Sequence, residues 1–485
     1  MDTARAAFWL TAGRAARMAL AFAAPLVLTR VLLRADYGTF KQIDLAAGLL
    51  SPILLVGFDR SLTYRLPRTT VDPRREASTV FWALAAVTLI SGLFLAAFPS
   101  VPRKVFGLSD LPLLTMAVLL STSAAVIVQA MQRALVATGR GRAAGILPAA
   151  LHIPYFVAVV AAALIGRSLQ AVVTVLVVNE ALTLVACAML LWHWGLLGWH
   201  FDPAVLKRHL AYAAPLWIIG LVETWGQRMD RYLVSTRLGP EIYALFAVGT
   251  TGLPFIGIIP VSVRDASAPA FSRYESEGRL KDIARLWKRG SEAVLPIYLL
   301  AAGLQISLAH LLVPLMYTEG FAAASPVFMA STAVTLVAVF AGLELVLRVL
   351  LEFRFLAILT IGSLLMRIVV GLAILPLGSL PLQVLGQAAV SWVDVAVRLA
   401  YARRRLHVGW LDLLPTRGWG LSLAMIAGCA VISLGAEPFL SSVSLLPKTA
   451  LLLLPWGGAA LVVLSGLRRE MKNRQASPVP FERVS

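Results

Sequence analysis

Long apolar segments alternate with short polar connections along almost the whole of this 485-residue chain. A helix of about 20 apolar residues is long enough to cross the hydrocarbon core of a bilayer. The alternation therefore predicts an all-α polytopic membrane protein with about fourteen transmembrane helices. The predicted spans cover approximately residues 8–33, 40–58, 78–98, 111–137, 146–165, 170–192, 212–235, 246–268, 291–315, 325–350, 356–376, 382–401, 419–436 and 449–467.

The positions of lysine and arginine predict the orientation of these helices. Basic residues concentrate in alternate connections, at 60–75, 140–142, 207–208, 273–289, 403–405 and from 468 onward. Cytoplasmic loops of membrane proteins carry such an excess, so we expect both termini on the cytoplasmic side. This distribution accounts for the net charge of +18 without a nucleic-acid partner. Two of the basic connections, 202–210 and 279–289, have amphipathic helical spacing and are predicted to lie in the headgroup region.

A short internal repeat predicts two lobes. Tyr37-Gly-Thr-Phe40 follows the first predicted helix, and Tyr243-Ala-Leu-Phe246 follows the seventh, an offset of 206 residues (243 − 37). Six helices return the chain to its starting side, so the repeat is parallel, with the substrate path expected between the lobes. The predicted division is an N-terminal lobe at 1–200, a C-terminal lobe at 201–405, and two further helices with a basic cytoplasmic tail at 406–485.

Charged residues inside the apolar segments indicate a polar interior. A charge at the centre of a bilayer costs at least about 2.5–3.5 kcal/mol, so such residues face a bundle interior or a wet cavity. Nine arginines and seven acids occupy these segments, which suits an anionic substrate. Because guanidinium binds phosphate through two parallel hydrogen bonds, the residues predicted to contact the substrate are Arg14, Arg17, Arg228, Arg231 and Arg264. For Arg14, snorkelling to the surface is the open alternative. The acids predicted as candidates for ion coupling are Asp44, Glu180, Glu223 and Asp230.

Two later segments carry acids four residues before an arginine. Glu344 precedes Arg348, and Asp394 precedes Arg398. This spacing suits an ion pair on one helix face. We predict that these two pairs have a structural role, because pairing removes most of the cost of burying the charges.

Enzyme chemistry has no motif in this sequence. There is no HExxH zinc motif and no GxxxxGK phosphate loop. Cys187 and Cys429 both lie within apolar segments, so neither a disulfide framework nor a metal site is implied. We therefore predict no catalytic residue, no metal and no cofactor.

Three stretches resemble the Wzx-like polysaccharide-unit flippases of the multidrug/oligosaccharidyl-lipid/polysaccharide exporter superfamily. These stretches are Arg30-Val-Leu-Leu-Arg-Ala-Asp-Tyr-Gly-Thr-Phe40, Tyr212-Ala-Ala-Pro-Leu-Trp217 and Asp230-Arg-Tyr-Leu233 with the following turn, and the similarity extends over about 8–405. The second turn departs from the usual Gly-x-Tyr, since it reads Glu241-Ile242-Tyr243.

The resemblance implies a fourteen-helix, two-lobed transporter of the bacterial inner membrane. Such a protein moves an undecaprenyl-pyrophosphate-linked oligosaccharide from the cytoplasmic to the periplasmic leaflet by alternating access, driven by an ion gradient or the membrane potential. The implied partners are the lipid-linked oligosaccharide, membrane lipids, and a polysaccharide polymerase with other assembly proteins. Three alternatives stay open: a drug/cation antiporter of the same superfamily, a membrane glycosyltransferase or ligase, which the short outer connections disfavour, and a scaffold in a polysaccharide assembly complex.

Overall fold

A computed structural model describes residues 13, 19–68, 72–98, 100–108, 111–253, 256, 258–340, 342–416, 419–440 and 443–476. All regular structure in these ranges is helical, which confirms the predicted all-α class. Eleven of the described helices are long and apolar enough to cross a membrane, or up to twelve if one bent pair counts as a single span. The protein is a multi-pass membrane protein.

The helices follow one another as α1 (Ala19–Val31), α2 (Arg34–Leu55), α3 (Phe58–Arg65), α4 (Pro73–Ala97), α5 (Ser100–Phe106), α6 (Pro112–Ala137), α7 (Gly141–Gly166), α8 (Leu169–His193), α9 (Pro203–Gly249), α10 (Ile258–Ser276), α11 (Leu280–Met316), α12 (Ser325–Val337), α13 (Gly342–Val349), α14 (Phe353–Ile374), α15 (Leu380–Leu406), α16 (Trp410–Leu413), α17 (Trp419–Ala436) and α18 (Leu445–Ala476).

Within the described residues the predicted count of fourteen spans is not confirmed, and three predicted spans account for the difference. The first predicted span, 8–33, lies partly outside the described residues, which include its helix α1 at Ala19–Val31. The second span is the bent pair of α2 and α3, whose axes differ by 47°. The predicted span at 246–268 is interrupted, because α9 ends at Gly249 and α10 begins only at Ile258.

The described helices pack into two compact units. The first unit comprises 1–248 and 357–383, and the second comprises 249–356 and 384–485. By its contacts α9 thus belongs with the helices before it, whereas the repeat placed it at the start of a second lobe. The lobes predicted at 1–200 and 201–405 remain a prediction about symmetry, which a grouping by contacts does not test.

In the first unit, α9 runs antiparallel to α2 and α3. Indole and amide side chains fix this pairing by donating to backbone carbonyls. Gln42 donates to the carbonyl of Ser235 at 3.1 Å, Trp225 to that of Leu49 at 3.2 Å, and Trp217 to that of Pro52 at 2.7 Å. Pro52 lies in the last turn of α2, where a helix leaves its carbonyls without an intrahelical donor. The sequence of α9 supplies that donor.

In the second unit, the basic connection at 279–289 is the first part of α11, a continuous helix of 37 residues. Its apolar residues Ile283, Ala284 and Trp287 are buried and pack in one cluster with Phe271 and Leu343. The apolar face predicted to contact lipid headgroups therefore packs on protein. The connection at 202–210 forms the start of α9, and its apolar residues also pack on protein: Val205 is buried, and Leu206 and Leu210 pack against a buried cluster.

Candidate functional site

The two turns of the internal repeat meet inside the first unit. Gly239 breaks α9 with a φ of 80°, and Pro240 begins the helical segment that carries Tyr243. A Cβ atom on Gly38 would collide with the carbonyl of Pro240, so the two turns approach as closely as backbones can. The side chains of Tyr37 and Tyr243 are both buried beside this contact.

Arg228 enters the interior through a notch in the neighbouring helix. Its guanidinium occupies the space where a Cβ atom of Gly48 would lie, so only glycine at this position of α2 admits it. One turn before Arg228, the indole N–H of Trp225 donates to the backbone carbonyl of Leu49 and holds α9 against α2. The Arg228 side chain therefore lies between α9 and α2, in space that only a glycine leaves open.

The charges around Arg228 have both signs. Arg228 interacts electrostatically with Asp44 and Arg231, and with the hydroxyl of Tyr243. Asp44 lies on α2 one turn before Gly48, and its side chain is 71% exposed, with the Nζ of Lys41 3.5 Å from Oδ2. The carboxylate of Asp44 is thus largely exposed, and it lies within electrostatic range of both Lys41 and Arg228.

Tyrosine hydroxyls extend this network across the unit. Tyr155 of α7 interacts electrostatically with both Asp44 and Glu180, and Tyr243 interacts with Tyr37 and Asp230 as well as with Asp44. Tyrosine can donate and accept hydrogen bonds, so it suits a polar path between carboxylates and an arginine. Tyr155 therefore lies within electrostatic range of Glu180 on α8 and Asp44 on α2.

The other predicted acids of α9 lie along the same helix. One carboxylate oxygen of Asp230 accepts the backbone N–H of Arg231 at 2.7 Å. Glu223 lies about two turns before Asp230. Between them the side chain of Arg367, from α14, comes to 3.8 Å from the position of a Cβ on Gly226. A second arginine therefore reaches α9 at a glycine.

We call the group Asp44, Glu180, Arg228, Asp230 and Arg231, with Tyr37, Tyr155 and Tyr243, the interior polar network. It contains five of the nine residues that were predicted for substrate binding or ion coupling, and Arg228 is one of these five. Arg14 and Arg17 lie outside the described residues. Arg264 belongs to α10 in the second unit, and its side chain is outside the described part of the structure. The interior polar network itself holds two arginines and three acids. An excess of positive charge in the interior of the whole helix bundle remains a prediction.

The tyrosines and Gly48 were not among the predicted site residues. Tyr37 and Tyr243 did carry a signal, because they are the matching positions of the repeat. Gly48 carried none, since a glycine in an apolar helix has many packing roles and its partner lies 180 residues away (228 − 48).

The predicted ion pairs form in the second unit. Arg348 contacts Glu344 on α13, and the Nε of Arg398 lies 2.8 Å from Oδ2 of Asp394 on α15. Arg398 also approaches Glu344 at 3.6 Å. The two predicted pairs are therefore one network that links α13 to α15. Their structural role remains a prediction.

Solved structures with a similar fold are transporters. An inward-facing multidrug resistance MATE family transporter of the MOP superfamily matches with a TM-score of 0.58, at 15% identity over 81% of this chain and 94% of that one. The bent form of the Vibrio cholerae MATE transporter VcmN gives 0.55, at 12% identity over 83% and 97%. A MOP superfamily transporter from Pyrococcus furiosus, described as having a binding pocket of reverse polarity, gives 0.56 at 14% identity over 84% and 96%.

Identities this low establish the fold alone. No curated protein sequence matches the chain. A family model does match, and its description is polysaccharide biosynthesis protein, over residues 27–326. This range covers more than half of the sequence and includes α2–α9 with the whole interior polar network. The chain therefore belongs to the polysaccharide biosynthesis protein family, and it has the helical fold of the MATE transporters of the MOP superfamily.

Proposed function

We propose that this protein moves a lipid-linked oligosaccharide, carried on undecaprenyl pyrophosphate, from the cytoplasmic to the periplasmic leaflet of the bacterial inner membrane. Transport proceeds by alternating access and supplies surface polysaccharide biosynthesis. The protein makes and breaks no covalent bond in this step. Its drive is an ion gradient or the membrane potential, and its termini are cytoplasmic.

Two independent findings support this proposal. Membership of a polysaccharide biosynthesis family points to a saccharide-bearing substrate, and the MATE-like fold is one that other membrane transporters use. A pyrophosphate with a long polyprenyl chain stays in the bilayer, so its headgroup needs a polar route through the hydrocarbon core. A protein that crosses the membrane many times and has charged residues on its inner helices can provide such a route.

The single observation that carries the proposal is the position of Arg228. A guanidinium held against the Gly48 notch has lost its conformational freedom before any ligand arrives, so binding a phosphate costs less entropy. Arg231 follows on the same helix, and Asp44 supplies the counter-charge when no substrate is present. In this mechanism pyrophosphate replaces Asp44 as the partner of Arg228, and the freed carboxylate becomes available to a coupling cation.

The proposal is tested in a strain that lacks its own copy of the gene. Surface polysaccharide is measured together with the amount of the protein in the membrane. Arg228→Ala should leave the protein level normal and lower export about 10–100-fold, since a charge-assisted hydrogen bond contributes about 1.5–3 kcal/mol. Arg228→Lys keeps the charge but loses the planar fork and should export weakly. The matched control is Arg237→Ala, at an exposed position of the same helix. Normal export by Arg228→Ala would refute the role of this residue.

A drug/cation antiporter is the second candidate. It is favoured by the similarity to multidrug MATE structures and by the acids Asp44, Glu180 and Asp230 in the interior polar network, which would suit a cationic ligand. Expression in a strain without efflux pumps discriminates the two functions. A rise in resistance to cationic drugs that is lost in Asp44→Asn, with no effect on polysaccharide, would favour the antiporter.

The proposed partners follow from the same function. The substrate is the lipid-linked oligosaccharide, and the surrounding lipids contact the apolar helices. A polymerase and other assembly proteins that use the flipped unit are candidate protein partners. Co-purification from crosslinked membranes tests this part separately.

A further inference from the structure

A second group of polar side chains is buried in the first unit, apart from the interior polar network. Ser61 of α3, Glu76 of α4 and His209 of α9 are each at most 1% exposed. The Oγ of Ser61 lies 2.5 Å from Nδ1 of His209, and Nε2 of the same ring lies 3.3 Å from Oε1 of Glu76. Arg65 approaches this carboxylate oxygen at 3.3 Å. Nδ1 thus contacts α3, whereas Nε2 faces α4 at 3.3 Å without forming a hydrogen bond.

The short helix α3 follows a strained hinge. Val56 and Gly57 have φ angles of 51° and 72°, both in the left-handed region. This conformation is a genuine outlier for a β-branched residue such as Val56. A Cβ on Gly57 would lie 3.0 Å from the carbonyl of Ala213, so the hinge itself is pressed against α9. Strain of this kind persists only where surrounding contacts over-determine the backbone. The contact of Ser61 with His209 is one of those contacts.

The hydrogen bonds of the cluster fit a neutral histidine. Ser61 can donate to Nδ1 while Nε2 carries the single ring proton and faces Glu76. Arg65 already balances the charge of Glu76, and Arg208 adds a further positive charge near the ring. A proton on Nδ1 would turn this nitrogen into a donor, so Ser61 would have to redirect its own proton to the carbonyl of His209, 3.4 Å away. The buried site would then hold an uncompensated positive charge, which is unfavourable.

We propose that Ser61, Glu76 and His209 form a proton-binding site that acts as a latch. With His209 neutral, the site holds α3 against α9 and keeps the hinge at Val56 strained. A proton taken from water onto Nδ1 of His209 releases α3 and relaxes the hinge. A link between release of the latch and the transport cycle rests on the proposed function. Protonation of His209 and release of α3 do not depend on it, because they need no substrate.

The size of the effect follows from linkage between protonation and conformation. A histidine exposed by release titrates near its ordinary value of about 6.5. The population of the released form then grows by the factor 1 + 10^(6.5 − pH), which is close to one at pH 8 and about eleven at pH 5.5. The latched form is therefore favoured at high pH and loses ground as the pH falls below about 7.

Amide hydrogen exchange of the purified full-length protein in lipid nanodiscs tests the latch without any substrate. Protection of the peptide 57–68, corrected for the intrinsic pH dependence of exchange, is measured between about pH 3.5 and 8, so that both histidine and carboxyl groups titrate within the range. The mostly buried segment 294–303 of α11, which contains no histidine, is the internal reference. His209→Gln keeps a donor and an acceptor but cannot take up the proton. His200→Gln is the matched control, because His200 is an exposed histidine shortly before α9.

The proposal predicts that protection of 57–68 falls about tenfold from pH 8 to pH 5.5 in the wild type and in His200→Gln, and stays constant in His209→Gln. A flat wild-type profile, or an equal fall in His209→Gln, would overturn it. If His209→Gln does not fold, the pH at which protection of 57–68 begins to fall in the wild type still tests the proposal. An onset near pH 7 supports His209, whereas an onset near 4 assigns the change to a carboxyl group such as Glu76 and overturns the latch. Since no substrate is present, these outcomes are independent of the export measurement.

Discussion

At the scale of single residues, the interior of this protein shows how a charge is placed inside a membrane helix bundle. Arg228 fits a glycine notch and has the carboxylate of Asp44 and the hydroxyl of Tyr243 within electrostatic range. Each of these neighbours lowers the cost of burial without forming a closed ion pair that would exclude a ligand. In the proposed function, this guanidinium binds the pyrophosphate of the substrate.

Gly48→Ala should show whether export depends on the position of the Arg228 guanidinium, because this variant keeps the charge and changes only where it lies. The added methyl group would occupy the place of the Arg228 guanidinium and push this flexible group aside. The fold should persist, because alanine favours a helix over glycine by about 1 kcal/mol. Export of polysaccharide should fall at least about tenfold, the effect of about 1.4 kcal/mol. Gly92→Ala in α4 is the matched control, since a Cβ there meets no atom within 4 Å. Equal export by both variants would show that the notch has no function.

The sequence predicted part of this site through one rule: a charge inside an apolar span is costly, so it marks a polar interior or a functional residue. The rule identified Asp44, Glu180, Arg228 and Arg231. It missed Gly48, Ser61 and His209, because small and weakly polar residues are common in membrane helices and mean little without a partner. Those partners are distant in sequence, as with Ser61 and His209, and only packing reveals them.

At the scale of helices, the second unit is joined by a network of charges between α13 and α15. Arg398 contacts both Asp394 on its own helix and Glu344 on the other. The i,i+4 spacing predicted the two local pairs, but it could not predict the link between the helices. That link depends on how the helices pack, which the pattern of one helix does not contain.

Asp394→Asn should destabilise the protein by about 1.5–3 kcal/mol, because Arg398 loses one of its two carboxylate partners and keeps Glu344. Asp394→Asn combined with Arg398→Gln should recover part of the loss, while Glu344 keeps Arg348. The folded fraction in detergent-solubilised membranes, measured by fluorescence-detected size exclusion, checks both variants. No recovery in the double variant would mean that the two residues act separately.

The turn between α13 and α14 should respond to pH. The Tyr401 hydroxyl donates to Oε2 of Glu352 at 2.6 Å, and this bond, with the neighbouring Arg405, holds the pKa of Glu352 below its usual range. A lowered folded-state pKa stabilises the protein above the ordinary value of about 4.3, and this stability is lost as the pH falls through the folded-state pKa. Tyr401→Phe should therefore lower the free energy of unfolding by about 1–2 kcal/mol at pH 7.

Thermal unfolding at pH 7 and pH 4 measures this effect, with Arg404→Gln, at an exposed neighbouring position, as the control. The difference between Tyr401→Phe and wild type should shrink at pH 4. A difference that is equal at both values would assign the loss to packing instead of to the carboxylate.

Amphipathic spacing at 202–210 and 279–289 shows a general limit of sequence patterns. The apolar stripe was present as predicted, but it packs on protein and each segment continues into a long helix. A stripe of this kind buries equally well against lipid or against neighbouring helices. The pattern therefore fixes which face is buried and leaves the identity of the covering surface open.

At the scale of the whole molecule, hydropathy predicted the class and the approximate bounds of most helices, because backbone groups in a bilayer must be satisfied within helices. The break between α9 and α10 was not predicted, since its residues are nearly as apolar as a span. The bend at Val56 was likewise invisible, because a left-handed valine has no sequence signature.

Orientation in the membrane is a separate prediction. The connection at 272–290 and both termini should be cytoplasmic, because the basic residues concentrate there. Cysteines introduced at Ser276, Ser109 and Ser379, in a background without Cys187 and Cys429, should be labelled from the cytoplasm only at the first position and from the periplasm at the other two. Labelling of Ser276→Cys from the periplasm of intact cells would overturn the orientation.

The most direct test of the central proposal is translocation by the purified protein in sealed liposomes. An undecaprenyl-pyrophosphate-linked oligosaccharide bearing a fluorophore on its sugar is incorporated, and its passage between leaflets is followed with a membrane-impermeant quencher. The wild type and Arg237→Ala should expose the inner pool at the same rate, and Arg228→Ala should do so about 10–100-fold more slowly, the effect of losing a charge-assisted hydrogen bond. A wild-type rate no faster than that of protein-free liposomes would contradict the proposed flipping activity.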